Sequence, residues 1–323
     1  MSRNVKLGIL GLAAILLLYP LLFSGAFALN VGSAVLLAAI SASAWNIVGG
    51  YAGQISVGHG MFFGVGAYLP LLIYQITGLP PLAGVPVGIA LSIILAIIIG
   101  LPAFRLRGHY FSMATIAVAE LIRIFTGTWE YVGAAIGLQG PAVGRGWWDL
   151  TFRDETPYYY IFLGVLAVVL YVTYELQRSR FGSYLRAIKS DERAASSLGV
   201  SVRMTKLKAL VLSAIFTSIA GSLYSIKTGF VDPESGFGIL VSVQMVIIAA
   251  LGGAGSLFGP LVGAIILVSL QTATNTWFGG GGSGLTYILY GGIIVLIARY
   301  EPGGLYEYWQ RISPRLWRSR RAA

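Results

Sequence analysis

Residues 82–104, LAGVPVGIALSIILAIIIGLPAF, decide the fold, because this stretch of 23 residues contains no charged side chain. A helix needs about 20 predominantly apolar residues to cross the hydrocarbon core of a bilayer. The whole chain has the same character, since 56% of its residues are hydrophobic, 11% are charged and its mean hydropathy is +0.79. That much apolar surface exceeds what one water-soluble core can bury. The composition therefore predicts a polytopic membrane protein.

Comparable apolar runs recur on both sides of this stretch. They predict an all-α bundle of about ten transmembrane helices that forms a single domain over residues 1–323. The first run resembles a secretory signal, because Arg3 and Lys6 precede it and an A-x-A-like triplet, Ala26-Phe27-Ala28, follows it. Its 17 uncharged residues, 7–23, are longer than a usual signal core and favour a retained helix. The predicted crossings are residues 7–24, 27–48, 57–76, 82–104, 109–128, 157–176, 207–226, 237–252, 257–275 and 284–299.

Basic residues are concentrated on one side of these crossings, and this asymmetry predicts the orientation. If Arg3 and Lys6 are cytosolic, 18 of the 22 Lys and Arg residues fall in cytosolic segments. Short cytosolic loops carry an excess of Lys and Arg. We therefore expect cytosolic termini, a cytosolic loop at 177–206, a basic cytosolic tail at 300–323 and an external loop at 129–157. Anionic lipid at the cytosolic surface accounts for the net charge of +10, so no nucleic-acid partner is expected.

A glycine motif occurs twice, 195 residues apart, as GHGMFFG at residues 58–64 and GAGSLFG at residues 253–259. Paired glycine-interrupted segments are typical of transporters that are built from an internal repeat, with broken helices near the path. The alternative is close packing, because small residues spaced by four let two helix backbones approach. The sequence leaves open whether the repeat is parallel or inverted. The glycines assigned to the path or to helix packing are Gly60, Gly64, Gly253, Gly255 and Gly259.

Polar side chains inside the apolar segments are candidates for a transport path, since they are costly in hydrocarbon and usually face a bundle interior or cavity. Glu120 and Arg123 are three residues apart on one helix face and fit a structural ion pair better than a proton relay. His59 fits a hydrogen-bonding role, because a metal site needs several ligands and the chain has two His and no Cys. The other candidates are Asn46, Gln54, Ser56 and Gln244.

The chain shows no arrangement of residues that is expected of an enzyme. A GxxxxGK[ST] phosphate-binding loop does not occur in the sequence, so the chain is not expected to hydrolyse ATP itself. We also expect no metal or other cofactor in this chain.

The cytosolic loop 177–206 contains the strongest local signal. Apolar residues recur there at helical spacing and predict two short amphipathic helices. The apolar stripe consists of Leu185, Ile188, Ala195 and Leu198. The second helix is expected over about residues 190–198, with Ser190 as N-cap and Gly199 at its end. Such a helix, held off the bilayer, can dock in a groove of another protein, with Ala195 against that groove. The candidate coupling residues are Asp191, Glu192, Arg193, Ala194, Ala195, Leu198 and Gly199.

The segment Asp191-Glu192-Arg193-Ala194-Ala195, followed by Gly199, resembles the E-A-A-x-x-x-G coupling loop of ABC importer permeases. Arg193 interrupts the strict pattern. Together with four further segments, it resembles the LivM-type permease of high-affinity branched-chain amino acid importers, over about residues 30–300. These segments are NIVGGYAGQISVGH at 46–59, RLRGHYF at 105–111, AELIR at 119–123 and GGAGSLFGP at 252–260.

This resemblance implies an all-helical inner-membrane permease that moves branched-chain or related amino acids. It also implies four partners: a second, LivH-type permease, two cytosolic ATPases that bind ATP and Mg, and an extracytoplasmic solute-binding protein. Importers of urea and amides share this permease type, so the solute stays open. The alternative is a stand-alone secondary transporter or channel, with Glu120 and Arg123 as coupling charges. A membrane-embedded enzyme ranks third.

Overall fold

The computed structural model describes residues 3–23, 25–106, 108–141, 146–277 and 291–292, with side chains from residue 11 onward except 12, 13 and 277. Helices provide nearly all the regular structure of these residues. The helices are α1 (Arg3–Leu22), α2 (Ala26–Asn46), α3 (Gly60–Thr77), α4 (Gly84–Ala103), α5 (His109–Thr128), α6 (Thr156–Arg178), α7 (Arg180–Ser190), α8 (Glu192–Ser197), α9 (Val202–Thr228), α10 (Pro233–Phe237), α11 (Ile239–Gly252) and α12 (Gly259–Trp277). A π-helical turn, Ile47–Tyr51, extends α2, and short 3-10 turns lie at Pro81–Ala83, Glu130–Val132 and Ala134–Ile136.

Seven stretches of the described residues are long and apolar enough to cross a membrane. In hydrocarbon a helix satisfies its backbone N–H and C=O groups internally, which is why uncharged runs fold in this way. The chain is thus a polytopic helical membrane protein. The first nine predicted crossings each coincide with a helix, and the tenth, 284–299, lies outside the described residues except for residues 291–292. The seven stretches are Ala26–Tyr51, Gly60–Thr77, Pro81–Ala103, His109–Thr128, Thr156–Arg178, Val202–Thr228 and Pro233–Gly252.

Helices α3 and α9 are the most deeply buried of these stretches and pack backbone to backbone. A Cβ atom on Gly221 would lie 1.9 Å from the carbonyl oxygen of Phe63, and one on Gly66 would lie 2.0 Å from that of Ser218. Ser222 Oγ donates a hydrogen bond of 2.8 Å to the Gly66 carbonyl. Small residues therefore hold the centre of the bundle together. Gly221, outside both sequence motifs, belongs to this contact.

The two ends of the bundle differ in character. At one end, called here the basic face because α7 and α8 carry Arg186, Lys189 and Arg193 there, these two helices lie beside the turns that join α2 to α3 and α11 to α12. At the opposite face, β1 (Leu138–Gln139) pairs antiparallel with β2 (Phe230–Val231). Lys227 Nζ lies 3.0 Å from a carboxylate oxygen of Glu155 at the same end. The segment predicted as the external loop therefore contributes to a two-stranded pair, which the all-α prediction did not include.

A break inside a membrane-spanning stretch lies at Gly238, which separates α10 from α11 with φ −54° and ψ 144°. The first glycine motif makes room for it. A Cβ atom on Gly64 would lie 2.3 Å from Cδ1 of Phe237, the last residue of α10. The backbone N–H of Gly60 donates a hydrogen bond of 2.7 Å to Ser242 Oγ on α11. The broken stretch is therefore seated on the start of α3.

The structure corrects the expected position of the helix breaks. The motif at 58–64 runs from a turn into the first turns of α3, and residues 253–258 form the turn between α11 and α12. Gly60 is the first residue of α3, whereas Gly255, at the matching position, lies four residues before Gly259 begins α12. The two copies thus differ in local conformation. Close packing is common to both, since a Cβ atom on Gly259 would lie 3.0 Å from the carbonyl oxygen of Gly252, the last residue of α11.

Candidate coupling and transport site

The predicted coupling helix forms as α8, but it begins one residue later than expected. Asp191 is its N-cap, because its carboxylate accepts hydrogen bonds from the backbone N–H groups of Arg193 (2.7 Å) and Ala194 (3.0 Å). These two bonds lower the pKa of the Asp191 carboxyl below its ordinary value, and the bond from Ala194 has the larger effect. Ser190, the predicted N-cap, is the last residue of α7. Gly199 has φ +84°, the left-handed conformation that commonly ends a helix.

The apolar stripe of α7 and α8 is divided between two environments. Leu185 and Ile188 are buried in the chain's own core, and Ala195 is only 2% exposed. These residues hold the two helices against the bundle, so the prediction that Ala195 faces a partner's groove is wrong. Leu198, by contrast, is 83% exposed. It is the member of the stripe that is available to another protein.

A cleft of about 870 Å³ lies between α8 and the end of α4. Three basic and two acidic residues line it beside short polar side chains: Arg105, Arg193, Arg203, Asp191 and Glu192. The coupling residues therefore border a polar recess of mixed charge, a surface suited to charged side chains of a protein partner.

Two side chains tie α7 and α8 to the rest of the bundle. Lys189 Nζ donates a hydrogen bond of 2.7 Å to the carbonyl oxygen of Gly50 in the π-helical turn. The Glu192 carboxylate accepts from Lys206 Nζ (2.5 Å) and from Gln54 Nε2 (3.2 Å). The Lys206 side chain is 3% exposed, so its charge depends on Glu192 for compensation. Gln54, assigned to the transport path from the sequence, lies against the coupling helix.

Asn46 joins the turn after α2 to the turn before α12. Its Nδ2 donates a hydrogen bond of 2.9 Å to the carbonyl of Ser256, and its Oδ1 accepts one of 2.8 Å from the N–H of Gly255. Gly255 has φ +90°, and a Cβ atom there would lie 2.9 Å from the Gly50 carbonyl oxygen and 3.2 Å from Lys189 Nζ. Parts of the two glycine-rich regions thus meet at the carbonyl that Lys189 also contacts.

His59 is fully buried in a network of hydroxyl groups. Its Nδ1 lies 2.9 Å from Ser56 Oγ and its Nε2 lies 2.9 Å from Ser213 Oγ. Ser213 Oγ donates its single hydrogen to the carbonyl of Ala44 at 2.6 Å. Nε2 therefore carries the proton and donates it to Ser213. Trp45 Nε1 donates to the Ser56 carbonyl at 2.7 Å, so His59 and Ser56 fix the start of α3 against α2 and α9.

Gln244 lies on a cavity of about 300 Å³ among α2, α3, α9, α11 and α12. Most of its lining is apolar, with Gln271, Ser41 and Ser235 as further polar residues. Ser235 belongs to α10, so this cavity adjoins the broken stretch.

Glu120 and Arg123 form the ion pair that their spacing predicts, and a third residue joins them. Arg123 Nε and Nη2 donate to the two carboxylate oxygens of Glu120 at 3.0 and 2.6 Å. Arg123 Nη1 donates to Glu234 on α10 at 3.1 Å. This cluster links α5 to the short helix of the broken stretch.

Sequence reasoning missed Lys189, Lys206 and Glu234 as site residues. Spacing placed Lys189 off the apolar stripe, but only the fold brings it to Gly50, 139 positions away in the chain. In the part of the chain that the structure describes, no group of three or more His, Cys, Asp or Glu side chains could hold a metal ion.

Apolar helices that cross a membrane, polar ties between their turns and a short helix with an exposed face at one end are typical of a membrane transport protein. A family model described as "Branched-chain amino acid transport system / permease component" matches residues 26–298, and the chain belongs to this family.

Two curated relatives cover most of the chain. The chain is 29% identical to the high-affinity branched-chain amino acid transport system permease protein LivM of Escherichia coli (strain K12), over 93% of this chain and 74% of the relative. It is 26% identical to the permease protein LivH of the corresponding system in Salmonella typhimurium, over 77% of this chain and 84% of the relative. A solved structure, "PsaBC from Streptococcus pneumoniae in complex with Fab", is similar with a TM-score of 0.45 at 16% identity, over 88% of this chain and 93% of that chain.

Proposed function

We propose that this chain is the permease subunit of an ATP-driven importer that moves branched-chain amino acids across the inner membrane. The names of its relatives support this solute class. Its partners are a second, LivH-type permease, two cytosolic ATPases that bind ATP and Mg, and an extracytoplasmic solute-binding protein. The chain itself supplies the path and the mechanical link, and no catalytic step.

One observation carries the proposal, namely the connection between the exposed helix α8 and the membrane helices. Helix α8 follows directly on α7, and Lys189 at the end of α7 contacts the place where the α2–α3 and α11–α12 turns meet. Lys189 holds Gly50, and Asn46 holds the Gly255 turn to the same place. Glu192 adds a second tie through Gln54 and the buried Lys206.

Movement of the ATPases then has a route into the bundle. Leu198 and the recess beside α8 receive the ATPase surface, as expected for a short helix that docks in a groove. Closure of the ATPases displaces α7 and α8 together, since Asp191 alone separates the two helices and Ala195 is buried. Lys189 passes this displacement to the α2–α3 and α11–α12 turns. The membrane helices that these turns join then move with them, and access alternates between the two sides.

We also propose the finer topology. The chain crosses the membrane ten times, with residues 284–299 as the tenth crossing, and the basic face and both termini lie in the cytosol. The two glycine motifs derive from an internal repeat of parallel sense. The parallel sense is supported by the position of the motifs. Each motif lies at a turn where one helix reaches the basic face and the next helix leaves it.

The test is Leu198→Glu in the assembled importer, reconstituted in proteoliposomes with the loaded binding protein. A charge in the apolar docking groove should abolish both the stimulation of ATP hydrolysis and solute uptake, while the two permeases still copurify. Gln139→Glu adds the same charge on the opposite face, where it is exposed, and should leave both activities unchanged. Normal coupling in Leu198→Glu would contradict the docking role. Uptake by this chain without the ATPases would instead indicate a stand-alone transporter.

A further inference from the structure

The cluster of Glu120, Arg123 and Glu234 carries more charge than a tie between helices needs. Glu120 already neutralises Arg123 through two hydrogen bonds, so Glu234 adds an uncompensated carboxylate 3.1 Å from the guanidinium. The side chains of Arg123, Glu120 and Glu234 are 30%, 41% and 63% exposed. The cluster therefore has a formal charge of −1 and faces outward from the chain.

Its depth makes this exposure significant. Glu120 lies 11 residues after His109 starts α5 and 8 residues before Thr128 ends it, about 17 and 12 Å along the helix. Glu120 is thus well inside the membrane-spanning stretch, and Arg123 lies about 8 Å from its end. Charged groups at this depth face a protein interior or a water-filled cavity, because hydrocarbon solvates them poorly. The exposed face of α5 is therefore not a lipid-facing surface.

The hydrogen-bonding capacity of the cluster fits an α-amino acid. Arg123 has five N–H donors, of which three are engaged by Glu120 and Glu234. Two donors are available for a carboxylate, and Glu234 offers a carboxylate to an ammonium group. Ile124, four residues after Glu120 and on the same helix face, is exposed and apolar. One face of α5 thus presents groups complementary to each part of an apolar amino acid.

We propose that this face of α5 lines the transport path, and that Glu120, Arg123 and Glu234 form a subsite for the α-ammonium and α-carboxylate groups of the amino acid in transit. The ammonium group binds between the two glutamates, and the carboxylate binds the free donors of Arg123. The side chain of the amino acid lies along Ile124. This inference rests on the proposed importer function and assigns the polar contacts of that path.

The first test measures whether water reaches this face of α5 in the assembled importer. The chain has no Cys, so the thiol introduced by Ile124→Cys is the single thiol in this chain. It is labelled with a water-soluble methanethiosulfonate, and mass spectrometry of this chain measures the extent of labelling. Thiols react as thiolates, which need water, so Ile124→Cys should react at least about tenfold faster than Ile98→Cys. Ile98, on α4, is exposed among apolar residues and serves as the lipid-facing control. Equally slow labelling at both positions would mean that a partner or lipid covers the face, and would overturn the proposal.

The second test separates a subsite from a structural tie. Glu234→Gln keeps an oxygen that accepts a hydrogen bond from Arg123 but removes the negative charge. If the cluster only links α5 to α10, this variant should therefore keep that link. The subsite predicts that the maximal rate of L-leucine uptake falls about tenfold or more, as expected for losing a charged hydrogen bond. Stimulation of ATP hydrolysis by loaded binding protein should persist. Glu130→Gln, the same change in the exposed segment after α5, should take up L-leucine normally. Normal uptake in Glu234→Gln refutes the subsite, whereas absent ATP-dependent uptake in the wild-type importer refutes the proposed function instead.

Discussion

Replacing Gly64 by Ala should destabilise the protein by about 1–3 kcal/mol, the usual cost of overpacking a well-packed interior. The new Cβ atom would lie 2.3, 2.4 and 2.5 Å from Cδ1, Cε1 and Cγ of Phe237. Carbon atoms in contact prefer separations of about 3.5–4.0 Å, so the ring must move by about 1 Å. Phe237 is buried, and its ring centroid lies 5.3 Å from that of Tyr68. The Tyr68 ring therefore blocks movement of the Phe237 ring in that direction. Since Phe237 is also only 3% exposed, we expect the displacement of its ring to shift α10 as well.

Gly164→Ala is the matched control, because Gly164 lies inside α6 with no atom within 4 Å of its added Cβ. In a helix interior Ala is preferred to Gly by about 0.8–1.0 kcal/mol, so this variant should be as stable as the wild type or more so. The two variants are therefore expected to differ by about 2–4 kcal/mol. Thermal unfolding of the purified importer, followed by tryptophan fluorescence, measures this difference. Equal unfolding temperatures for the two variants would show that Phe237 does not sit against Gly64, and the account of the broken stretch would fail.

Lys189→Met should reduce the stimulation of ATP hydrolysis by loaded binding protein about 5- to 30-fold. This factor is equivalent to about 1–2 kcal/mol for the lost hydrogen bond to Gly50. Unchanged stimulation would exclude Lys189 from coupling. The lowered pKa of Asp191 means that its stabilisation of α8 is full above the unfolded-state pKa and is lost as the pH falls through the folded-state pKa. Hydrogen exchange of α8 amides, corrected for its intrinsic pH dependence, should therefore rise on acidification in the wild type but not in Asp191→Asn. Single Cys residues at Ser183 and at the exposed Ile136 should react with an impermeant reagent from opposite sides of the membrane, and labelling from one side would overturn the topology.

The helical bundle could be predicted from the sequence because hydrocarbon imposes one simple rule on every crossing. An uncharged run such as 82–104 has few options other than a helix, and the structure places α4 there. Helix α8 was also predictable, since helical spacing and a terminal glycine are local signals. Its N-cap shifted from Ser190 to Asp191 because two adjacent side chains compete for the same backbone donors, and sequence alone does not decide between them.

The ties between distant segments could not be predicted, because hydrophobic periodicity carries no information about which segments become neighbours. Asn46 contacts Ser256 across 210 positions, and Lys189 contacts Gly50 across 139. The break at Gly238 was missed for a related reason. The sequence assigns Gly60 and Gly64 either to broken helices near the path or to close packing, and in the structure they make room for a break in another helix.

The break at Gly238 also constrains how the protein is made. Helix α11 has 14 residues and is about 21 Å long, too short to cross a hydrocarbon core of about 30 Å by itself. The insertion machinery must therefore release Pro233–Gly252 into the bilayer as one segment of 20 residues. The seat on α3 is synthesised some 170 residues earlier, so it is already in the membrane when this segment leaves the ribosome. Substitutions at Gly60 or Gly64 are then expected to appear in the cell as maturation defects, with the nascent chain inserted but cleared by membrane proteases before it assembles.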